Sequence, residues 1–214
     1  MKLELWHSIL ATQRRVRALF DRILPAEPAP GARRAQVRVG MEALGHLEQQ
    51  LLVELERLRA AFGETLRPDE VEDVIRPFAY FIDEQVLRRL ADAEQPMWPL
   101  LQQNLFQVDA GGDLFYDFVE EKLRRQDTPP IVFEMLRFCL AAGFTGRLVG
   151  QPERIRAFKD RLSERIPQPF AVPAAPLAVP EGAPPTIYDF PSHYYLVTAA
   201  IVVGLPVLLW WSSN

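Results

Sequence analysis

Only one cysteine, Cys139, occurs in the 214 residues, which rules out an intrachain disulfide and fits a reducing compartment. The three histidines, His7, His46 and His193, are scattered, and no Ser or Cys lies in a recognisable nucleophile elbow beside a base. Neither a catalytic triad nor a zinc site can be drawn, so the expectation is a protein that is not an enzyme and takes no cofactor or metal. No convincing period-two run argues for a strand. The N-terminus has no uninterrupted apolar stretch of signal-peptide length, because Glu4, His7, Arg14, Arg15 and Arg17 break it up. The folded body is therefore expected in the cytoplasm. With a net charge of -4 and no Cys/His spacing or RNA-binding aromatic motif, nucleic acid is a poor partner. Formal charge is also missing from the end of the chain, where nothing ionisable of the Asp, Glu, Lys or Arg type follows Asp189.

What stands there instead is Tyr194 to Trp211, YYLVTAAIVVGLPVLLWW. At about 1.5 Å per residue this stretch reaches roughly 27 Å, close to the hydrocarbon thickness of a bilayer. Tyr194 with Tyr195 and Trp210 with Trp211 suit the two headgroup zones as interfacial anchors. The reading is a single C-terminal transmembrane anchor within residues 192–214, with the C-terminus in the periplasm, because a short tail crosses far more easily than a folded body. Residues 167–191 contain eight prolines in twenty-five positions, too many missing amides for helix or sheet, and read as an extended linker. Residues 1–166 remain for one helical domain.

That domain is uneven in charge. Residues 1–40 hold eight Lys/Arg against three Asp/Glu, whereas residues 42–121 hold six against eighteen. The basic start suits either an anionic lipid surface or a solvated helix face, the latter being the commoner arrangement.

Apolar spacing of three and four predicts helix after helix. The first runs from Leu3 to Leu24, with Trp6, Ile9, Leu10, Val16, Leu19, Phe20 and Ile23 as its stripe. A second, from Arg33 to Phe62, reads as a long spine, and a third starts near Pro68 and should kink at Pro77. Further helices are expected over Trp98–Phe106, Leu114–Arg125 with Asp113 as N-cap, Ile131–Ala142 and Pro152–Ile166. Gly111, Gly112, Gly143 and Gly146 are assigned to turns between them. Within the third helix Asp83 and Glu84 interrupt an apolar segment. They form either a partner-docking cleft walled by Trp98, Phe115 and Phe144, or a structural device that holds helices together through caps and Arg contacts, with Arg88 one turn on as an ion-pair partner.

Four blocks then occur in order before the apolar tail: FAYFIDEQVL (Phe78 to Leu87), Trp98 with LLQQNLFQ, GGDLFYDFVEEKL (Gly111 to Leu123) and FEMLRFCLAAGFTGRL (Phe133 to Leu148). The combination resembles the DotU/TssL (IcmH-like) family of inner-membrane subunits of type VI and type IVB secretion systems. The resemblance covers roughly residues 70–150. It implies an all-α, hook-like cytoplasmic domain of two small bundles, a homodimer aided by the span, and a scaffold role at the bacterial inner membrane. The implied partners are a large IcmF/TssM-like subunit, baseplate proteins and, indirectly, a TssJ-like lipoprotein. It leaves type VI and type IVB open, and a tail-anchored adaptor that binds an amphipathic helix shares the same topology.

Overall fold

A computed structural model describes residues 3–26 and 38–167, and every element among them is helical. The expected span, with Tyr194, Tyr195, Trp210 and Trp211, and all of the expected linker but Pro167 lie outside the described residues. Among those described, no helix is long and apolar enough to cross a membrane.

Seven α-helices follow one another: α1 (Leu3–Ile23), α2 (Met41–Gly63), α3 (Pro68–Arg89), α4 (Leu101–Phe106), α5 (Gly111–Arg124), α6 (Pro130–Ala141) and α7 (Pro152–Arg165), with 3-10 turns at Gln95–Met97 and Gly146–Leu148. Proline sets several of the starts. Pro68, Pro130 and Pro152 each occupy the first turn of a helix, where a missing amide costs nothing because that donor has no intrahelical acceptor. At α3 the start is reinforced: the Glu70 carboxylate accepts the Arg67 amide at 2.9 Å, while Asp69 and Glu70 sit at the positive end of the helix dipole.

The hub of the body is α3, not α2. It packs against α2, α4, α5 and α6, while α1 lies along α2 and α7 along α6. Accordingly Val71, Val74, Ile75, Phe78, Phe81, Ile82 and Val86 are all buried, each such side chain contributing about 1.5–3 kcal/mol relative to exposure. The expected spine is shorter than its sequence pattern, because Gly40 at its N-cap has φ +77° and the helix begins only at Met41. Conversely, α3 continues through Pro77 as one helix. Pro77 is buried, and its carbonyl accepts the Cys139 thiol at 3.6 Å, which ties α3 to α6 at the point where the helix lacks an amide.

On α1 the buried residues are Leu5, Ile9, Thr12, Val16 and Phe20, so the core face is rotated from the expected stripe and Leu10 is left exposed. Long-range polar contacts fix this helix, among them Arg89 of α3 donating to Asp21 at 3.3 Å. The Trp6 indole donates to the buried Glu134 carboxylate of α6, and Arg15 donates to Glu54 of α2 at 2.5 Å.

Candidate functional site

Successive helical residues diverge by about 100°, so Asp83 and Glu84 leave α3 in different directions. Asp83 turns inward and is 2% exposed. Its Oδ1 accepts the Trp98 indole N–H at 2.8 Å and the Leu101 amide at 3.0 Å, and its Oδ2 accepts the Gln102 amide at 3.0 Å. Leu101 and Gln102 are the first two residues of α4, whose own N-cap, Leu100, offers no side-chain acceptor. A carboxylate on α3 thus supplies the cap that the local sequence lacks. Burial pushes the Asp83 carboxyl up to about 6, against the opposing effect of its three donors and with the Glu48 charge adding to the rise.

Glu84 faces the turn after α6. Its Oε1 accepts the Thr145 amide at 3.0 Å and the Thr145 hydroxyl at 2.9 Å, and its Oε2 accepts the Gly146 amide at 2.8 Å. Arg88, four residues on, donates to Glu84 and also to the Gly143 carbonyl at 2.6 Å. The adjacent carboxylates are therefore two latches on one helix, one holding α4 and one holding the turn of residues 143–146.

Between these latched elements α3 floors an open cleft of roughly 400 Å3. Gln102, Asp109, Asp113, Thr145, Arg147 and Val149 are among the residues that line it. Asp109 and Asp113 are exposed, and Val149 presents an apolar side chain that is 71% exposed. Of the residues expected to wall this cleft, Phe144 lines it, while Trp98 and Phe115 are buried behind it. Phe115 packs on Phe144 with ring centroids 4.3 Å apart, and the Tyr116 hydroxyl donates to the Thr145 carbonyl at 2.8 Å. Burial raises the Tyr116 phenol far above its ordinary range, which leaves it a permanent donor there.

Gly143 and Gly146 occupy turns with φ +102° and +46°. Gly111 and Gly112 do not: they are the first two residues of α5, and Ala110 rather than Asp113 is its N-cap. The reason for glycine at these two positions is space. A Cβ on Gly111 would fall 1.9 Å from Gln102 Oε1 and 2.7 Å from the Tyr80 ring, one on Gly112 would fall 3.3 Å from the Gly146 Cα, and the Gly112 carbonyl oxygen lies 2.4 Å from where a Cβ on Gly146 would stand. The backbones of α5 and the 3-10 turn touch through a glycine pair.

Gln102, Thr145 and Tyr116 were not singled out by sequence, and only the Gly-Phe-Thr-Gly turn carries a local signal for any of them. His7 and His46 are exposed on α1 and α2, and His193 lies outside the described residues. Among those residues no three His, Cys, Asp or Glu side chains are grouped to hold a metal ion. Cys139 is fully buried, and burial pushes its thiol up, away from nucleophilic use.

The family model described as type VI secretion system protein DotU matches residues 32–214. The chain belongs to the DotU family. Its fold is similar to that of a solved DotU structure from Francisella novicida, with a TM-score of 0.57 at 16% identity, over 77% of this chain and 99% of that one. No curated protein matches. DotU proteins are structural, membrane-associated subunits of secretion-system complexes rather than an enzyme family, and the chain is accordingly a secretion-system subunit.

Proposed function

We propose that this chain is a non-catalytic scaffold of a type VI secretion membrane complex. It is anchored in the inner membrane by residues 194–211, holds its helical body in the cytoplasm and docks baseplate components there. The observation that carries this reading is the extent of the family match, which takes in both the helical body and the charge-free C-terminal stretch in one run from residue 32 to residue 214. A large IcmF/TssM-like subunit is the expected membrane partner, a TssJ-like lipoprotein joins indirectly, and the chain pairs with a second copy.

The docking surface proposed for the cytoplasmic partner is the cleft above the Asp83–Glu84 pair. The two carboxylates shape it, while exposed Asp109 and Asp113, the latter within reach of the Arg147 charge, and the apolar Val149 meet the partner. This division of labour follows from burial for Asp83, which is 2% exposed, and for Glu84 from its bonds to Thr145, Gly146 and Arg88.

The test is affinity purification of the full chain from gently solubilised native membranes, beside a variant ending at Pro191, with mass spectrometry of what accompanies each. Recovery of a large membrane subunit with the full chain and of baseplate proteins with both is the expected result. Recovery of a single small helical ligand would replace the scaffold by an adaptor. A third sample carrying Asp109→Lys with Asp113→Lys isolates the cleft, and retention of every cytoplasmic partner by it would remove the cleft from the reading.

A further inference from the structure

The family match begins at residue 32, so α1 lies outside it, yet α1 is docked on the body by the buried face described above. Its opposite face is the unusual one. Leu3, His7, Leu10, Arg14 and Arg17 follow at spacings of four, three, four and three, which places them in one line along the helix, and all five are exposed. Leu3 is 61% and Leu10 39% exposed, so apolar surface occupies the first half of the line and Arg14 and Arg17 follow it, while the next residue along, Asp21, accepts from Arg89 of α3 at 3.3 Å. Arg14 and Arg17 have no carboxylate partner among the described residues, in contrast to Arg15, which is taken up by Glu54.

The position of this face gives its occupant. The Trp6 ring packs on Phe138 of α6 with centroids 6.0 Å apart, while Arg137 of the same helix donates to Ser163 at 2.7 Å and the Arg165 guanidinium lies 4.8 Å over the Phe133 ring. The first turns of α1 and the last turn of α7 therefore flank the same stretch of α6, about 20 Å apart at ordinary helix spacing. From Pro167, just after α7, only residues 168–193 separate the body from Tyr194, and even fully extended as polyproline at about 3.1 Å per residue they reach at most roughly 80 Å. If Tyr194 enters a bilayer, the apolar and basic face of α1 is held within reach of that same leaflet.

We propose that the exposed face of α1 rests on the headgroups of an anionic leaflet, with Leu3 and Leu10 entering the interface and Arg14 and Arg17 contacting lipid phosphates. The inference builds on the membrane-anchored reading above and adds to it an orientation of the body. The anchor alone would leave the body free on its tether; the second, electrostatic contact fixes which side faces the membrane and leaves the cleft to other partners.

The experiment is energy transfer from a dye on Ala60→Cys, an exposed position on α2, to an acceptor lipid, using the full chain in nanodiscs of neutral phosphatidylcholine or of phosphatidylcholine with one third phosphatidylglycerol. The buried Cys139 leaves the new thiol as the reactive one. The expected result is high transfer in the anionic discs only, lost at high salt where charges are screened within a few ångströms. It should also be lost in Arg14→Glu with Arg17→Glu, since each arginine is worth about fivefold and the two together on the order of thirtyfold. The far-ultraviolet spectrum of that variant should stay unchanged, as both side chains are exposed. Equal transfer in both discs, or transfer unaffected by the two reversals, would overturn the proposal; transfer that tracks protein density rather than lipid charge would assign the face to a second copy. A chain that incorporates in neither disc would overturn the anchor instead, and flotation of that soluble chain with anionic but not neutral vesicles would then uphold the α1 contact, its absence overturning it.

Discussion

Replacing Asp83 by Asn keeps the shape of the side chain but turns one acceptor into a donor. With Oδ1 retained for Trp98 and Leu101, the new amide nitrogen faces the Gln102 N–H, which loses its partner at the start of α4 at a cost of about 1–3 kcal/mol. The more telling effect is on pH dependence. The folded carboxyl titrates near 6 against 3.8 for the unperturbed group, so the folded state binds the extra proton in that window. The stability this contributes is full below about pH 4 and is lost as pH rises through 6, a fall of about 3 kcal/mol at 1.36 kcal/mol per unit. The variant has no such term. The stability difference between parent and Asp83→Asn should therefore shrink by about that amount from pH 4 to pH 7, measured by urea unfolding of the full chain in a mild detergent and followed by near-ultraviolet circular dichroism. A difference that instead widens with pH would mean that the three donors outweigh burial, and that the carboxylate is stabilised in the fold rather than strained by it.

Other substitutions probe the neighbouring contacts. Glu84→Gln weakens the charge-assisted bonds to Thr145, Gly146 and Arg88 and should cost about 2–3 kcal/mol, with hydrogen exchange at residues 143–149 rising before global unfolding; unaltered exchange there would remove the latch. Gly146→Ala forces a Cβ to 2.4 Å from the Gly112 carbonyl at positive φ and should lower stability by about 2–4 kcal/mol, whereas Gly45→Ala, in open space within α2, should raise it by about 0.5–1 kcal/mol; thermal melts of the two should move in opposite directions. Trp6→Phe deprives buried Glu134 of its indole donor and should cost about 1–3 kcal/mol, and a melting temperature equal to the parent's would show that α1 is held by its apolar face alone.

The sequence announces its helices through punctuation. Pro68, Pro130 and Pro152 each sit at a helix start for a local reason, the orphan amide, and local reasons are what a sequence displays. The same logic misplaces Gly111 and Gly112, because glycine also serves where two backbones touch, and nothing nearby in sequence says that Gly146 will arrive opposite Gly112. It overextends α2 for want of the φ of Gly40, and it underrates α3, whose apolar stripe is no longer than that of α2 but is surrounded on more sides. Asp83 and Glu84 stand out as polar residues in an apolar run, so their importance is legible. Their roles are not, because the groups they bind lie eighteen and sixty-one residues further along the chain.

Because the two latches start from consecutive residues of one helix, the sides of the cleft share a single footing. Neither side can swing out without breaking contacts to the same turn of α3, so the opening between them is a fixed gauge rather than a jaw. A partner docking there as proposed would meet a shape already made, keep the entropy that closing a mobile groove would consume, and be selected by size and charge at the moment of encounter. Thermal or chemical stress should accordingly abolish docking in one step with the unfolding of α3, without an intermediate in which the body persists and the cleft has widened.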